Sequence, residues 1–378
     1  MIHFNNFKLI SLLSLIALSL CNTLYAGTPD IGGKVELRTG LNYIDSKFYG
    51  NFWSLGEIEF FLPENSLFEP RLMLQSTLTD KDSDTAIKYL YARHHMNQAH
   101  LTIGRQPVFW SYGAMLNLMD FGTGVDNLAG TSFRTGIDGL RYHHNLGSGR
   151  SLQLVTSFDS TRSLSNNKTG YGMRLRMPAS GYDLSFNFFN QPVFMGMGNQ
   201  LERLLRGGAT YNIDMGSFNT YGAIGYYRLK DSSTSDYLIQ VGFDTSRIVS
   251  AHRTLIIKGE YYRFINSRFD ASLLTRLMLG GKNLDNRLQS GGNADSLQTA
   301  GSMLRRDLLL INFNLQQDFF TNIGLTTMFE SSGNTIAVAP YYISELGEGL
   351  EMRIDGSVTR LDSNEYISAL ATSINYYF

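Results

Sequence analysis

Apolar and polar residues alternate along this chain with a period of two, and the pattern recurs at a spacing of roughly 20 residues. It is sharpest in the final segment, Ile367-Ser-Ala-Leu370-Ala-Thr-Ser-Ile374-Asn-Tyr376-Tyr-Phe378. Steps of two back from Phe378 give Tyr376, Ile374, Thr372, Leu370, Ser368 and Tyr366. Successive side chains on a strand point to opposite sides, so this set forms one mostly apolar face. Near the other end, Val35, Leu37, Leu41 and Tyr43 alternate with Lys34, Glu36, Arg38, Gly40 and Asn42. Tyr171, Met173, Leu175 and Met177 alternate with Gly172, Arg174 and Arg176, and Leu350, Met352 and Ile354 with Glu351, Arg353 and Asp355. Such strands need an apolar medium on one side and a polar one on the other. Two packed soluble sheets provide that; so does a barrel with lipid outside and water inside.

The two ends favour the barrel. A strand that finishes on an aromatic suits the interfacial belt of a membrane barrel, whereas a soluble sheet gains little from a free terminal Phe. Met1–Ala26 carries one formal charge, Lys8, then an apolar run from Leu9 to Leu20 and Leu24-Tyr25-Ala26. That reads as a secretory signal peptide cleaved after Ala26, and the run is too short to span a bilayer as a helix. The single cysteine, Cys21, lies inside it; a lipid anchor there is disfavoured by the bulky Leu20 before it. From Gly27 onward there is thus no disulfide and no thiolate metal site.

Without Lys8, the 32 basic residues become 31, against 33 acidic ones. No net field recruits nucleic acid or anionic lipid. No stretch after Ala26 approaches about 18 apolar residues, so helical spans are excluded. A barrel hides its apolar content in alternation, which agrees with a mean hydropathy of −0.14.

Alternation and turn residues divide the mature chain into 18 segments, with 16 still open because the second, fourth, fifth and tenth are faint. They fall at about 31–44, 51–62, 69–79, 85–96, 99–107, 135–145, 151–160, 170–178, 181–190, 205–213, 217–229, 236–246, 253–265, 305–317, 319–331, 336–345, 349–360 and 364–378. With the last strand ending at the periplasm, every second connection is a short turn. The three longest, Val108–Arg134, Gln191–Leu204 and Asn266–Leu304, all fall on the opposite rim, as in an outer-membrane barrel. The expected fold is therefore an all-β transmembrane antiparallel barrel with short periplasmic turns and long extracellular loops, over residues 27–378.

In a channel the working parts are the lumen and whatever narrows it. The segment 108–134 is too apolar to wave in water: Phe109, Trp110, Met115, Leu116, Leu118, Met119, Phe121 and Leu128 need something to pack on. Folded into the barrel, it forms a constriction and offers Asp120 and Asp126 to the pore; the alternative is an external lid. Arg38, Arg71, Arg174, Arg176 and Arg353, on lumen phases, could face those carboxylates and set a transverse field. The blander reading is that such arginines pair with neighbouring acids and fill space.

Catalytic patterns are missing: there is no Gly-x-Ser-x-Gly elbow, no His-Glu-x-x-His and no phosphate loop. No metal or cofactor is expected. His94-His95 and His143-His144 are adjacent on strands, so each pair splits between faces; one of each could reach a cation.

The position of the long connection resembles that of general bacterial porins, where the loop after the fifth strand folds inward to make the eyelet. Tyr376-Tyr377-Phe378, with Ile374 before it, resembles the signal by which outer-membrane barrels are recognised by their assembly machinery. More locally, Leu101-Thr-Ile-Gly104-Arg105-Gln106-Pro-Val-Phe-Trp110-Ser-Tyr-Gly113 resembles the Gly-Arg-Gln…Trp…Gly stretch of some carbohydrate-exporting outer-membrane barrels, departing from it at Pro107. That likeness implies Arg105 and Gln106 as pore-lining. Together the resemblances imply a Gram-negative outer-membrane channel for passive diffusion of small polar or charged solutes. Its partners would be outer-membrane lipid and lipopolysaccharide, the barrel-assembly machinery and, as in many porins, two further copies in a homotrimer. The competing expectations are a non-conducting barrel serving as an adhesin or partner-binding sleeve and, last, a barrel hydrolase.

Overall fold

The computed structural model describes residues 30–44, 47–61, 67–79, 83–110, 112–113, 119, 136–158, 169–195, 200–230, 234–266, 307–331, 335–360 and 366–378. The leader 1–26, Asp120, Asp126 and nearly all of the Asn266–Leu304 connection lie outside these residues.

The strands are β1 (Asp30–Ile44), β2 (Lys47–Phe61), β3 (Phe68–Thr79), β4 (Ser83–Met96), β5 (Ala99–Gln106), β6 (Ile137–Gly147), β7 (Arg150–Ser157), β8 (Gly170–Ala179) and β9 (Tyr182–Met195). They continue with β10 (Gln200–Asp214), β11 (Phe218–Leu229), β12 (Ser235–Ser250), β13 (Arg253–Phe264), β14 (Asp307–Gln316), β15 (Thr321–Glu330), β16 (Thr335–Gly347), β17 (Leu350–Arg360) and β18 (Tyr366–Tyr377). Each pairs antiparallel with its neighbours in sequence, and β1 pairs with both β2 and β18. The sheet is a closed ring of 18 strands, which decides between 18 and 16. Closure removes the unpaired edges that a lipid environment could not satisfy.

The two rims differ. On one, turns are minimal: Asn97–Gln98 joins β4 to β5, and Ser148–Gly149 joins β6 to β7. The latter turn places Gly147, Ser148 and Gly149 at φ of 84°, 51° and 74°, a left-handed run tolerable because two of the three lack a Cβ. The opposite rim carries the connections 107–136 and 265–306. A correction applies to Gln191–Leu204. β9 and β10 pair as far as Met195↔Gln200, so most of that span is strand. Pro192, facing Arg203, and the charged pair Glu202–Arg203 hide the alternation there. The third long connection is instead 158–169, between β7 and β8.

Burial separates the two phases of each strand. On β11, Ile224 is 63% exposed while Tyr221, Ala223 and Tyr227 are buried. On β1, Val35, Leu37 and Leu41 are exposed while Glu36 and Asn42 are buried. Exposed apolar outside and sequestered polar inside is the inverse of a soluble protein and the pattern of a lipid-facing barrel.

Rings seated over glycines knit adjacent strands. Gly242 lies opposite Tyr221, and a methyl added there would come 2.2 Å from the Tyr221 ring. Gly259 and Phe243, and Gly324 and Tyr341, are matched in the same way. The glycine weakens its strand alone, but the ring covers the gap. Phe378 does likewise at the seam: its ring lies over Gly33, and the two residues exchange backbone hydrogen bonds of 2.9 and 3.1 Å.

Candidate pore and its lining

The lumen is filled on one side. Its inward residues on β9 to β14 include Phe189, Leu204, Tyr221, Tyr227, Leu238, Tyr262, Phe264, Leu308 and Leu310, none more than 1% exposed. Part of what covers this wall is the segment after β5. Val108 and Trp110 are buried; the Trp110 indole lies tilted against Phe189 on β9 with ring centres 5.1 Å apart, and its Nε1 donates to Gln153 Oε1 on β7 at 2.8 Å. Tyr112 Oη lies 3.1 Å from Ser185 Oγ and accepts from Arg174 at 2.9 Å. Met119 is fully buried, its Sδ accepting from Tyr227 Oη at 3.4 Å on β11. A Cβ on Gly225 would lie 2.9 Å from that sulfur, so the missing side chain is what seats Met119. These described residues therefore run along the inner wall across β7, β8, β9 and β11.

The other side is polar. On β16 to β18 and β1 to β4 the inward face carries many charges; Arg71, Glu59, Arg93 and Arg353 are partly exposed, while Glu36 and Lys88 are buried. Asp355 accepts from Arg353 at 2.7 Å and lies 3.5 Å from Arg38. Ser373 of β18 is opposite both arginines, so Arg353, Asp355 and Arg38 form one cluster across β17, β18 and β1. Lys34 meets Glu36 at 2.8 Å. Arg71 sits 3.6 Å from Glu59 and 3.5 Å from Glu69, with Phe61 beneath its guanidinium. Arg93 holds Glu69 at 2.7 Å, and Lys88 holds Glu57 at 2.6 Å. Every cation in this set has a carboxylate neighbour, so the wall is strongly polar but close to neutral.

The arginines singled out in the sequence thus divide. Arg38, Arg71 and Arg353 line the polar wall. Arg174 and Arg176 lie on β8, next to the filled wall, bound to Ser185 and Tyr112 and to Asp183 respectively. Gln106 is fully buried, its amide donating to the Thr102 and Gly139 carbonyls. Arg105 is displaced from the lumen set. It shares its strand phase with the exposed Ile103 and is held by Asp138, in phase with the exposed Leu140, through bonds of 3.0 and 2.7 Å. Ile374, Tyr376 and Phe378 stand exposed on the outer face. The acids Glu36, Glu57, Glu59, Glu69 and Asp355 were not picked out as site residues. Their phase in the alternation, opposite to Val35 or Ile58, carried the signal.

A closed ring of 18 antiparallel strands, apolar outside and charged within, is an outer-membrane β-barrel by fold. Solved structures agree. OccK2 (OpdF) of Pseudomonas aeruginosa, crystallised in complex with glucuronate, is similar with a TM-score of 0.58 at 11% identity, over 93% of this chain and 98% of that one. OccAB2 of Acinetobacter baumannii gives 0.56 at 12%, over 93% and 98%. Wzi of Escherichia coli, an outer-membrane carbohydrate-binding β-barrel involved in group 1 capsule assembly, gives 0.58 at 12%, over 97% and 88%. No protein-family model and no curated protein sequence matches the chain.

Proposed function

We propose that this barrel is a porin-like channel of the Gram-negative outer membrane, passing small polar solutes by diffusion along the wall formed by β16 to β18 and β1 to β4. The observation that carries this reading is the uneven lumen: much of one wall is packed with buried apolar and aromatic side chains, while the other carries a ladder of paired charges, several of them partly exposed. The segment 108–134 is the constriction in this reading, with Trp110, Tyr112 and Met119 as its anchors. Asp120 and Asp126 are proposed to face the path from it. Lipid and lipopolysaccharide contact the outer face, and the assembly machinery reads Ile374, Tyr376 and Phe378 in the last strand. The glucuronate bound to OccK2 supplies a first test solute, a small sugar acid. Catalysis has no place in this reading.

Planar-bilayer recording of the refolded protein is the test. Discrete conductance steps are expected, with weak ion selectivity because the lining charges are matched. A folded barrel that never conducts would sink the proposal and favour a second reading, a carbohydrate-binding sleeve, for which the likeness to Wzi is the support. Binding of oligosaccharide to the non-conducting barrel would then separate that sleeve from an adhesin.

A further inference from the structure

Three of the seven histidines end up side by side. His95 on β4 lies opposite His100 on β5, and His100 lies opposite His143 on β6. Directly opposed residues of antiparallel strands project to the same face. The three imidazoles therefore form a row across three strands. It lies on the inner face, since His100 shares its phase with the fully buried Thr102 and Gln106. The neighbours His94 and His144 belong to the other phase, beside the Phe68 ring at 4.7 Å and the Tyr142 ring at 6.1 Å. The row stands at the short-turn rim, next to the Asn97–Gln98 turn, and His95 is 39% exposed.

Within the row, His100 Nδ1 and His143 Nδ1 are 3.2 Å apart. The His95 and His100 ring centres are separated by 6.1 Å, and His95 Nε2 is 3.5 Å from Glu69 Oε2. We propose that His100 and His143 form a two-nitrogen clamp for a divalent transition-metal ion at the mouth of the lumen, with His95 closing on it as a third ligand. Two imidazole nitrogens each about 2.0–2.1 Å from one ion lie about 3 Å apart, so the pair already has the separation a shared metal requires. Metal-free, one ring donates its Nδ1 proton to the other. For both lone pairs to face an ion, that proton moves to Nε2 of the same ring, with no change in net charge. Glu69 offsets part of the added charge, although Arg93 already holds it at 2.7 Å. Among the described residues no three His, Cys, Asp or Glu side chains are already disposed around one point. The third ligand thus arrives by rotation of His95, whose exposed side chain has room to turn. Imidazole donors favour Cu²⁺ over Ni²⁺ and Zn²⁺.

The test uses the folded full-length barrel in detergent, purified without a polyhistidine tag and titrated with CuCl2 and ZnCl2. Calorimetry is expected to show one ion per barrel with Cu²⁺ tighter than Zn²⁺, and Cu²⁺ electron paramagnetic resonance to show at least two nitrogen ligands. The double variant H100N/H143N is expected to weaken Cu²⁺ binding at least tenfold, H95N to weaken it by less, and H94N/H144N to leave it unchanged. Retained heat-modifiability on gels shows that each variant is folded. Binding unaltered in H100N/H143N, or lost equally in H94N/H144N, would overturn the site. Neither readout depends on conduction, so the outcome stands apart from the channel proposal.

Discussion

The wall built by β9 to β14 and the wall built by β16 to β4 have the same strand geometry and the same greasy exterior, yet their interiors are opposites. Inward positions on the first include a buried cluster of Leu, Phe and Tyr packed with Trp110 and Met119, with polar groups such as Arg206, Gln240 and Glu260 buried among them. Inward positions on the second include Arg, Lys, Glu and Asp held in pairs, several of them partly exposed. Burying the rest of the second set would strip hydration from its partly exposed charges, and leaving the first set wet would expose aromatic surface. The difference teaches that the outer phase of such a chain determines where it resides, while the inner phase determines where inside it water runs.

Four experiments would break or sharpen this contrast. The largest effect is expected from Trp110→Ala. Truncating a buried Trp costs about 3–5 kcal/mol in well-packed interiors, and here it detaches the segment from Phe189 and Gln153. Single-channel conductance should rise severalfold; an unchanged step size would show that the packed side does not set the bore. Next is Asp355→Asn, which leaves Arg38 and Arg353 without their shared carboxylate. Reversal potentials should move toward anion preference in dilute salt and return near the parent value at about 1 M, where the screening length is about 3 Å. Arg206→Met, 1% exposed on the filled side, should leave the reversal potential where it was. A shift of equal size in both variants would erase the distinction between the walls.

A smaller effect is expected from Gly242→Ala, which forces a methyl into the Tyr221 ring. Overpacking of this kind costs about 1–3 kcal/mol, read as a lower temperature for loss of the compact form on gels. Gly56→Ala, on the outer face of β2 opposite Val35, meets nothing within 4 Å and should melt like the parent. The smallest is Arg105→Gln. This partly exposed ion pair is worth about 0–1 kcal/mol, and conductance and selectivity should not move. A clear change in either would return Arg105 to the lumen.

Much of the fold was legible because alternation is a one-dimensional record of a two-sided environment. Val35 against Glu36, or Tyr171 against Arg174, needs no partner strand to be read. Strand number and the asymmetry of the rims followed from it. The ends of β9 and β10 did not, because Gln191–Met195 and Gln200–Leu204 become strand through mutual pairing rather than through their own pattern. The pore was only half legible. Phase marks which side chains face inward, but not which of those are then covered. Arg38 and Gln106 look equally lumenal in sequence, yet in the folded chain Gln106 is fully buried while Arg38 stays partly exposed. The arginines' partners were invisible for a related reason. Arg353 pairs within its own strand, but Arg38 reaches Asp355 across β18, and that proximity exists only once the ring has closed.

An aromatic ring parked on a glycine is also a registration mark. Were β11 to slip against β12 by a single pair, Tyr221 would meet a side chain in place of the empty surface of Gly242; a slip of β12 against β13, or of β15 against β16, would do the same to Phe243 on Gly259 and to Tyr341 on Gly324. The stagger between strands fixes the girth of a barrel of given strand number. Those three notches therefore hold the bore constant, leaving the residues along the charged wall free to change what passes without altering how wide the passage is.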